Sequence, residues 1–164
     1  MIPSRTIYWS FSSPIGSINR AGMDGSNPVE IIGGLGEPFG ITIDFEKSRL
    51  YWAEAGYDRI RSSTMEGADI QTVVGWGYGA TPYGLTLLQD RLYITTWGWG
   101  ILYSYSEADR DSREVYDGND LGLYLFQAAA IPRQNLPTDR INHCANANCT
   151  GVCVLSPTSF SCLG

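Results

Sequence analysis

The residues of this sequence best suited to chemistry lie close to its C-terminus. They are four cysteines, separated by four, three and eight residues: Cys144, Cys149, Cys153 and Cys162. Structural zinc sites usually take paired Cys-x-x-Cys hooks, which this spacing lacks. Such a density of cysteine is typical of disulfides, and disulfides indicate an oxidising compartment.

Catalytic machinery is hard to assemble from the remaining residues. His143 is the only histidine, which excludes a metal site built from several histidines and leaves one candidate general base. It adjoins Cys144, where the role of a linker residue is expected. A Gly-x-Ser-x-Gly nucleophile elbow does not occur. We therefore expect no catalytic residue and no enzymatic activity.

Carboxylates offer no clear metal site either. A loose acidic group consists of Asp109, Asp111, Glu114, Asp117 and Asp120. Calcium takes six to eight oxygen ligands, roughly, from closely spaced loop positions, and no such loop pattern occurs here. A solvated loop is expected, with no metal and no cofactor. Asn148 begins the glycosylation motif NCT, but a disulfide at the central cysteine would compete with modification.

Composition indicates a folded globular chain. Of its 164 residues, 43% are hydrophobic and 17% are charged. The net charge of −6, from 11 basic and 17 acidic residues, argues against nucleic acid and against an anionic membrane surface as partners. The longest apolar runs, such as 123–131, are far too short to span a bilayer.

The start of the sequence, MIPSRTIYW, lacks the features of a secretory signal. The cysteines nevertheless indicate an oxidising compartment. We therefore expect that a signal lies upstream or was removed, and that the chain is extracellular.

One pattern recurs three times at a nearly constant interval. IYWSF at Ile7, LYWAE at Leu50 and LYITT at Leu92 are 43 and 42 residues apart (50 − 7 and 92 − 50). MDG and MEG keep a similar interval, as do PFGITI and PYGLTL. A period of roughly 20 to 50 residues is typical of solenoids and propellers.

Each period contains four short β-rich runs separated by turn signals. In the second period they are LYWAE, RIRSST, IQTVV and GLTLL. Gly25 and Gly67 lie between adjacent runs, where glycine supplies the positive φ of a hairpin turn. The pattern predicts an all-β fold with one four-stranded sheet per period. Radial arrangement covers both faces of such sheets, but a propeller needs about four to eight of them and this chain supplies three.

The Tyr-Trp motifs, with Ile-x-Arg, Met-Asp-Gly and Pro-x-Gly-(Ile/Leu)-Thr-(Ile/Leu), resemble the class B (YWTD) repeat of the low-density-lipoprotein-receptor family. The stretches 18–32 and 38–54 look closest to its Wnt co-receptor branch. In that family six repeats close into a β-propeller followed by an EGF-like module. The resemblance covers 7–163. It implies half of a six-bladed propeller in residues 1–135 and a partial EGF-like module in residues 136–164.

The cysteines look like the first four of the six in an EGF-like module. The resemblance implies the bridges Cys144 to Cys153 and Cys149 to Cys162, one of three connectivities open to four cysteines. The fifth cysteine would fall at Gly164, so the module is expected to be incomplete.

Half a propeller exposes the faces and edges of its terminal blades, which is an aggregation hazard. Two explanations stay open. The chain is a fragment whose missing half belongs to a larger receptor, or two chains associate as a homodimer that completes one ring.

The aromatic residues fall into two classes. Those that recur with the repeat are predicted to seal the seams between blades: Tyr8, Trp9, Tyr51, Trp52 and Tyr93. Those in the glycine-rich loops do not recur, and we predict that they form a binding surface: Trp76, Tyr78, Tyr83, Trp97 and Trp99. The resemblance places Trp97 on the ligand-binding top face, and Phe39 and Tyr83 along its rim.

The fourth motif residue, an aspartate that braces neighbouring blades in the family, varies here. It is Phe11 in the first copy, Glu54 in the second and Thr96 in the third. Phe11 cannot make polar contacts of that kind, so either the blade junctions rely more on apolar packing or the ring is looser. Glu54 is also included among the candidate ligand-binding residues.

The predicted function is an extracellular, non-enzymatic module that binds a protein or peptide ligand in signalling, endocytosis or adhesion. Aromatic residues would anchor the ligand and acidic residues at the rim would steer basic partners. A structural extracellular-matrix protein is the alternative. A propeller hydrolase is a third class, which a bound metal would favour.

Overall fold

The computed structural model describes residues 6–13 and 15–117, together with the backbone of two strands near the C-terminus. The strands are β1 (Thr6–Phe11), β2 (Gly16–Gly22), β3 (Val29–Leu35), β4 (Pro38–Asp44), β5 (Arg49–Glu54), β6 (Arg59–Thr64), β7 (Gln71–Gly75), β8 (Pro82–Leu88), β9 (Arg91–Thr96), β10 (Ile101–Ser106), β11 (Asp111–Asp117), β12 (Val152–Leu155) and β13 (Phe160–Leu163). A short 3-10 helix, Ala55–Tyr57, connects β5 to β6.

The chain divides into two compact units, Met1–Ala130 and Ile131–Gly164. In the second unit, β12 and β13 form an antiparallel hairpin in which Cys153 lies opposite Cys162. The side chains of this hairpin lie outside the described residues. The EGF-like module, its disulfides and the domain boundary near residue 135 therefore stay predictions.

The described residues of the first unit form three antiparallel sheets, which confirms the all-β prediction. Their strand orders are β1-β2-β3, β4-β5-β6-β7 and β8-β9-β10-β11, and we number the sheets 1 to 3. Each is a meander, in which every strand pairs with its neighbour in sequence. Such meanders are the blades of a propeller.

The prediction that the fourth run of each repeat joins the same sheet as the first three runs was wrong. GLTLL, expected to complete the second sheet, lies in β8 and forms the first strand of sheet 3. PFGITI likewise opens sheet 2 as β4. The repeat and the sheet are thus out of phase by one strand, because that strand pairs with the Tyr-Trp strand after it. For this reason sheet 1 has only three strands among the described residues.

Apolar clusters fill the two seams between the sheets. The first joins Ile18, Ile32 and Leu35 of sheet 1 to Leu50, Trp52 and Met65 of sheet 2. The second joins Tyr51, Ala53 and Ile60 of sheet 2 to Leu85, Leu92, Ile94 and Tyr105 of sheet 3. Successive side chains of a strand point to opposite faces, so β5 contributes to both seams in turn.

The seam prediction holds for three of the five recurring aromatic residues; Trp9 differs, and Tyr93 belongs to neither of the two clusters. Tyr51 and Trp52 are fully buried, and Tyr8 packs against the first cluster. Trp9 remains exposed, because it lies on the face of sheet 1 that points away from sheet 2. No described sheet covers that face.

The meanders place the connections at two ends of the sheets. We call one end the linker end, because it carries the links β3–β4 and β7–β8 between sheets, together with the connections β1–β2, β5–β6 and β9–β10. The other connections lie at the opposite end, which we call the turn end. Gly25 and Gly67 lie there with φ of 80° and 86°, as the turn chemistry predicts.

A polar tie closes the second seam at the turn end. The Tyr51 hydroxyl donates to Glu107 Oε2 at 2.7 Å, and Lys47 Nζ donates to the same oxygen at 2.8 Å. Burial, with the nearby Glu107 carboxylate, raises the pKa of Tyr51. The phenol therefore stays protonated and remains a donor across the physiological range.

Removal of this donor should weaken the seam. For Tyr51→Phe we expect the free energy of unfolding to fall by about 1.5 kcal/mol, the value of a hydrogen bond to a charged acceptor. Urea unfolding measures it. Tyr57→Phe is the control, since Tyr57 is exposed and its hydroxyl makes no hydrogen bond to the described residues. An equal loss in both variants would contradict the tie.

Candidate functional site

All seven predicted site residues lie at or next to the linker end of the first unit. They are Phe39, Glu54, Trp76, Tyr78, Tyr83, Trp97 and Trp99. The positions follow from the meander, since each residue lies in a linker-end connection or within two residues of one. Residues from two different repeats, more than 40 positions apart, are thus brought together at one end.

Phe39 and Tyr83 stack on each other. Their ring centroids are 4.3 Å apart and the rings are inclined by 24°. They occupy matching second positions of β4 and β8, the first strands of their sheets. Gly40 allows this approach, because a Cβ there would lie 2.6 Å from the backbone of Tyr83 and of Leu85. The glycine of the Pro-x-Gly motif therefore sets the spacing of the pair.

The side chains of Trp76 and Trp99 are partly buried by packing in the second seam. Both contact Tyr103 of β10, with centroid distances of 5.7 Å and 6.4 Å. Tyr78 is fully exposed, and Trp97 is also exposed. The loop aromatic residues thus divide into a half-buried group that supports the surface and an exposed group that faces solvent.

Backbone hydrogen bonds fix the loops that carry these residues. In the first seam, the amide of Ala55 donates to Glu37 O and that of Gly56 donates to Gly36 O, both at 3.0 Å. The link between two sheets is therefore paired with the following linker-end connection.

The second seam repeats this pairing at the same positions. Trp97 N–H donates to Thr81 O at 2.9 Å and Gly98 N–H donates to Ala80 O at 3.2 Å. A Cβ at Gly98 would lie 1.9 Å from Gly79 O, so only glycine permits this contact. The bond at its own amide also anchors the backbone of Trp97.

Glu54 lies inside the first seam. It is buried, accepts from the amide of Gly36 at 3.0 Å and from Arg59 Nε at 2.7 Å, and has Arg61 Nη1 at 3.8 Å. This is the bracing role that the resemblance implies for the motif aspartate. Both carboxylate oxygens are committed to these contacts, so the side chain does not face solvent.

Thr96, the matching residue in the third copy, does not brace a seam in this way. Its hydroxyl donates to Ile101 O at 2.9 Å and accepts from Ile101 N–H, both within its own hairpin. The motif position therefore stabilises the β9–β10 connection instead.

Asp58 provides the brace of the second seam, and sequence reasoning missed it. Its carboxylate accepts from Gly79 N–H at 3.0 Å and from Thr81 N–H at 2.6 Å, while its carbonyl accepts from Trp76 N–H at 2.9 Å. Asp58 has a φ of 50°, a conformation that aspartate tolerates better than most residues. An aspartate directly after a Gly-Tyr turn was the available signal.

The acidic residues are not where the predicted steering role requires them. Those in described connections lie mainly at the turn end: Asp24, Glu46, Glu66, Asp69, Asp90, Glu107 and Asp109. Within the described linker-end connections, Glu37 is the one exposed carboxylate. The described linker-end connections are therefore poor in exposed carboxylates, although Asp117 lies exposed at the linker end of β11. Among the described residues, no group of three acidic, histidine or cysteine side chains could hold a metal.

Comparison with known proteins decides the relationship. No family model matches the chain. Human low-density lipoprotein receptor-related protein 5 is 32% identical over 153 residues, covering 88% of this chain and 9% of that protein. Human low-density lipoprotein receptor-related protein 4 is 31% identical over 74% of this chain and 6% of that protein. This chain is a homologue of the low-density-lipoprotein-receptor-related proteins.

Other relatives agree with that assignment. The vitellogenin receptor Yl of Drosophila melanogaster is 28% identical over 92% of this chain and 7% of its own length. This homologue of the receptor-related proteins thus spans less than a tenth of the length of these relatives. They are receptors with extracellular domains, which places the chain outside the cell. No helix among its described residues has the length and apolar character needed to cross a membrane.

Solved structures support the propeller fold of this receptor homologue. A chain of a nidogen/laminin complex matches with a TM-score of 0.65 and 23% identity, over 74% of this chain and 46% of that one. A luciferin-regenerating enzyme matches with a TM-score of 0.60 and 12% identity, over 76% and 46%. At these identities the likeness concerns the fold alone.

Asp58→Asn should loosen the second seam. An asparagine keeps one acceptor oxygen but turns its amide donor toward a backbone N–H, so one of the two bonds is lost. We expect the free energy of unfolding to fall by about 2 kcal/mol. Thermal and urea unfolding measure it. Asp90→Asn, at an exposed position of the turn end, is the control and should change stability little. Equal stability of the two variants would remove Asp58 from its bracing role.

Proposed function

We propose that this chain is a non-enzymatic protein-binding module of an extracellular receptor, and that it binds an extended protein or peptide segment on its linker end. The Phe39–Tyr83 stack carries the proposal. Two rings from different sheets meet there at the start of the innermost described strands, with exposed Trp97 in the same set of connections. Such clusters of rigid aromatic groups commonly dominate binding energy.

The surface is suited to binding because its loops are already ordered. The paired backbones at Glu37 and Thr81 hold both links between sheets in place, and Asp58 adds two bonds to the second link. A ligand would therefore pay little for loop ordering, which otherwise reduces affinity. Trp76 and Trp99 support the surface from below through Tyr103.

The charge distribution favours an apolar mode of recognition. Glu54 is neutralised by Arg59 in the first seam, and most acidic connections lie at the opposite end. Affinity should therefore depend weakly on ionic strength, since the described connections that carry the aromatic residues contain one exposed carboxylate, Glu37. This replaces acidic steering at the rim as the expected mechanism.

The relatives support a receptor role. The proteins that match over most of this chain are receptors, so signalling or endocytosis is the context that we propose. The nidogen match comes from a complex with laminin, and it supports a second candidate, a structural protein of the extracellular matrix. The higher identity to the receptors favours the first candidate.

Peptides selected from a random phage-displayed library on the immobilised chain provide the test. Titration calorimetry with one selected synthetic peptide should show a loss of about 2 kcal/mol, roughly 30-fold in Kd, for Tyr83→Ala and for Trp97→Ala. The loss is expected because each variant removes a ring that would be covered in the complex. Raising the salt concentration should change Kd little.

Phe45→Ala is the matched control, because Phe45 is a highly exposed aromatic residue at the turn end. A peptide that loses affinity for Phe45→Ala and keeps it for Tyr83→Ala and Trp97→Ala would bind at the turn end. That result would contradict the proposed site at the linker end. A library that yields no saturable binder would count against the module as a peptide receptor.

A further inference from the structure

Two buried N–H groups in the first seam have no hydrogen-bond acceptor among the described residues. They are the indole Nε1 of Trp52 and the guanidinium Nε of Arg61. Trp52 is 0% exposed. The Arg61 side chain is 22% exposed, but its Nε atom is buried. A buried donor without an acceptor is costly, because it has given up its hydrogen bonds to water. The pair therefore indicates a ligand that accepts hydrogen bonds.

Both donors lie on the face of sheet 2 that points to sheet 1. Trp52 of β5 is directly opposite Arg61 of β6, so the two side chains project to the same side. The guanidinium carbon of Arg61 is 5.9 Å from the centroid of the Trp52 ring. A single small ligand beside both side chains would accept from both N–H groups.

Charge on this face is unbalanced. The charged residues of β5 and β6 that point to the first seam are Glu54, Arg59 and Arg61. Arg59 Nε lies 2.7 Å from Glu54 Oε2, whereas Arg61 Nη1 lies 3.8 Å from the same oxygen. One carboxylate thus faces two guanidinium groups, and the close pair is the one with Arg59. A net positive charge stays beside Arg61, although buried charges are normally paired.

The neighbouring side chains carry no charge that could balance Arg61. The buried residues packed around Trp52 are apolar: Ile18, Ile32, Leu35, Leu50 and Met65. In such surroundings the attraction between a cation and an anion is stronger than in water. The setting therefore favours an anion over a neutral acceptor.

The second seam has no equivalent pair of donors. At the matching positions of sheet 3, Ile94 of β9 lies opposite Tyr103 of β10. Neither an indole nor a guanidinium group is present there. The unpaired indole and the unpaired guanidinium N–H thus occur together in one seam and are both missing from the other, as expected if they serve one ligand.

We propose that the first seam binds one small monovalent anion of the halide class between Trp52 and Arg61. Both N–H groups would donate to the anion. Together with Glu54, Arg59 and Arg61, it would form a set without net charge. A water molecule could accept the same bonds but would leave the charge of Arg61 unbalanced. An acidic group on a large ligand could not reach the buried Nε atom. Chloride is the abundant anion of this class outside the cell.

Thermal unfolding of the full 164-residue chain at constant ionic strength tests the proposal. Replacement of sodium gluconate by sodium chloride should raise Tm by about 3 °C, because a ligand that binds only the folded state stabilises it. Bromide should act like chloride. Equal Tm values in chloride and gluconate would overturn the proposal.

Two arginine variants separate this site from a general effect of salt. Arg61→Met keeps an apolar stem and removes the guanidinium group, so it should abolish the difference between chloride and gluconate. Arg113→Met is the matched control, since Arg113 is 71% exposed in β11 of sheet 3, and it should keep the difference. A difference that persists in Arg61→Met would contradict the site.

Crystals of the unmodified chain grown in bromide locate the anion without any variant. An anomalous scattering peak within hydrogen-bond reach of Trp52 Nε1 and Arg61 Nε is the expected result. Density at that position without anomalous signal would identify water and overturn the proposal. Bromide found at surface positions alone would overturn it as well.

Discussion

The need to cover both faces of sheet 2 governs the described structure. Strand β5 shows why, since Leu50 and Trp52 point to one side and Tyr51 and Ala53 point to the other, and all four are buried. A sheet with two apolar faces cannot have a solvated side, so it must lie between two neighbours. The meander within each sheet then brings every link between sheets to one end. The location of the aromatic surface follows from this burial.

Order at the aromatic surface comes from contacts across the seams. Each link between sheets pairs its backbone with the next linker-end connection, at Gly36 with Gly56 and at Ala80 with Gly98. Glycine at position 98 is required, because the facing carbonyl leaves no room for a side chain. The same seams that bury the core thus hold the loops of the proposed binding surface, so stability and the proposed recognition depend on one set of interactions.

The variation of the fourth motif residue shows how such a repeat can diverge. Glu54 keeps the acidic brace of its seam, and its charge is balanced by Arg59. Thr96 turns its hydroxyl into its own hairpin, and Asp58 of the preceding sheet braces the second seam in its place. A polar requirement of the junction is met in both cases, by residues at different positions. Each junction requires a carboxylate that accepts backbone N–H bonds, but it does not require that this carboxylate come from one fixed position of the motif.

The sequence by itself determined the repeat, the β-rich runs, the positive φ at Gly25 and Gly67, and the relationship to the receptor family. These depend on local patterns, which short windows of residues contain. Only the tertiary structure decided that the Pro-x-Gly strand opens the following sheet, that Phe39 stacks on Tyr83, and that Asp58 replaces Thr96 as a brace. Each of these depends on which strands pair and on contacts between residues about 20 to 40 positions apart. The register of the strands is set by the burial of whole sheet faces and not by any single motif.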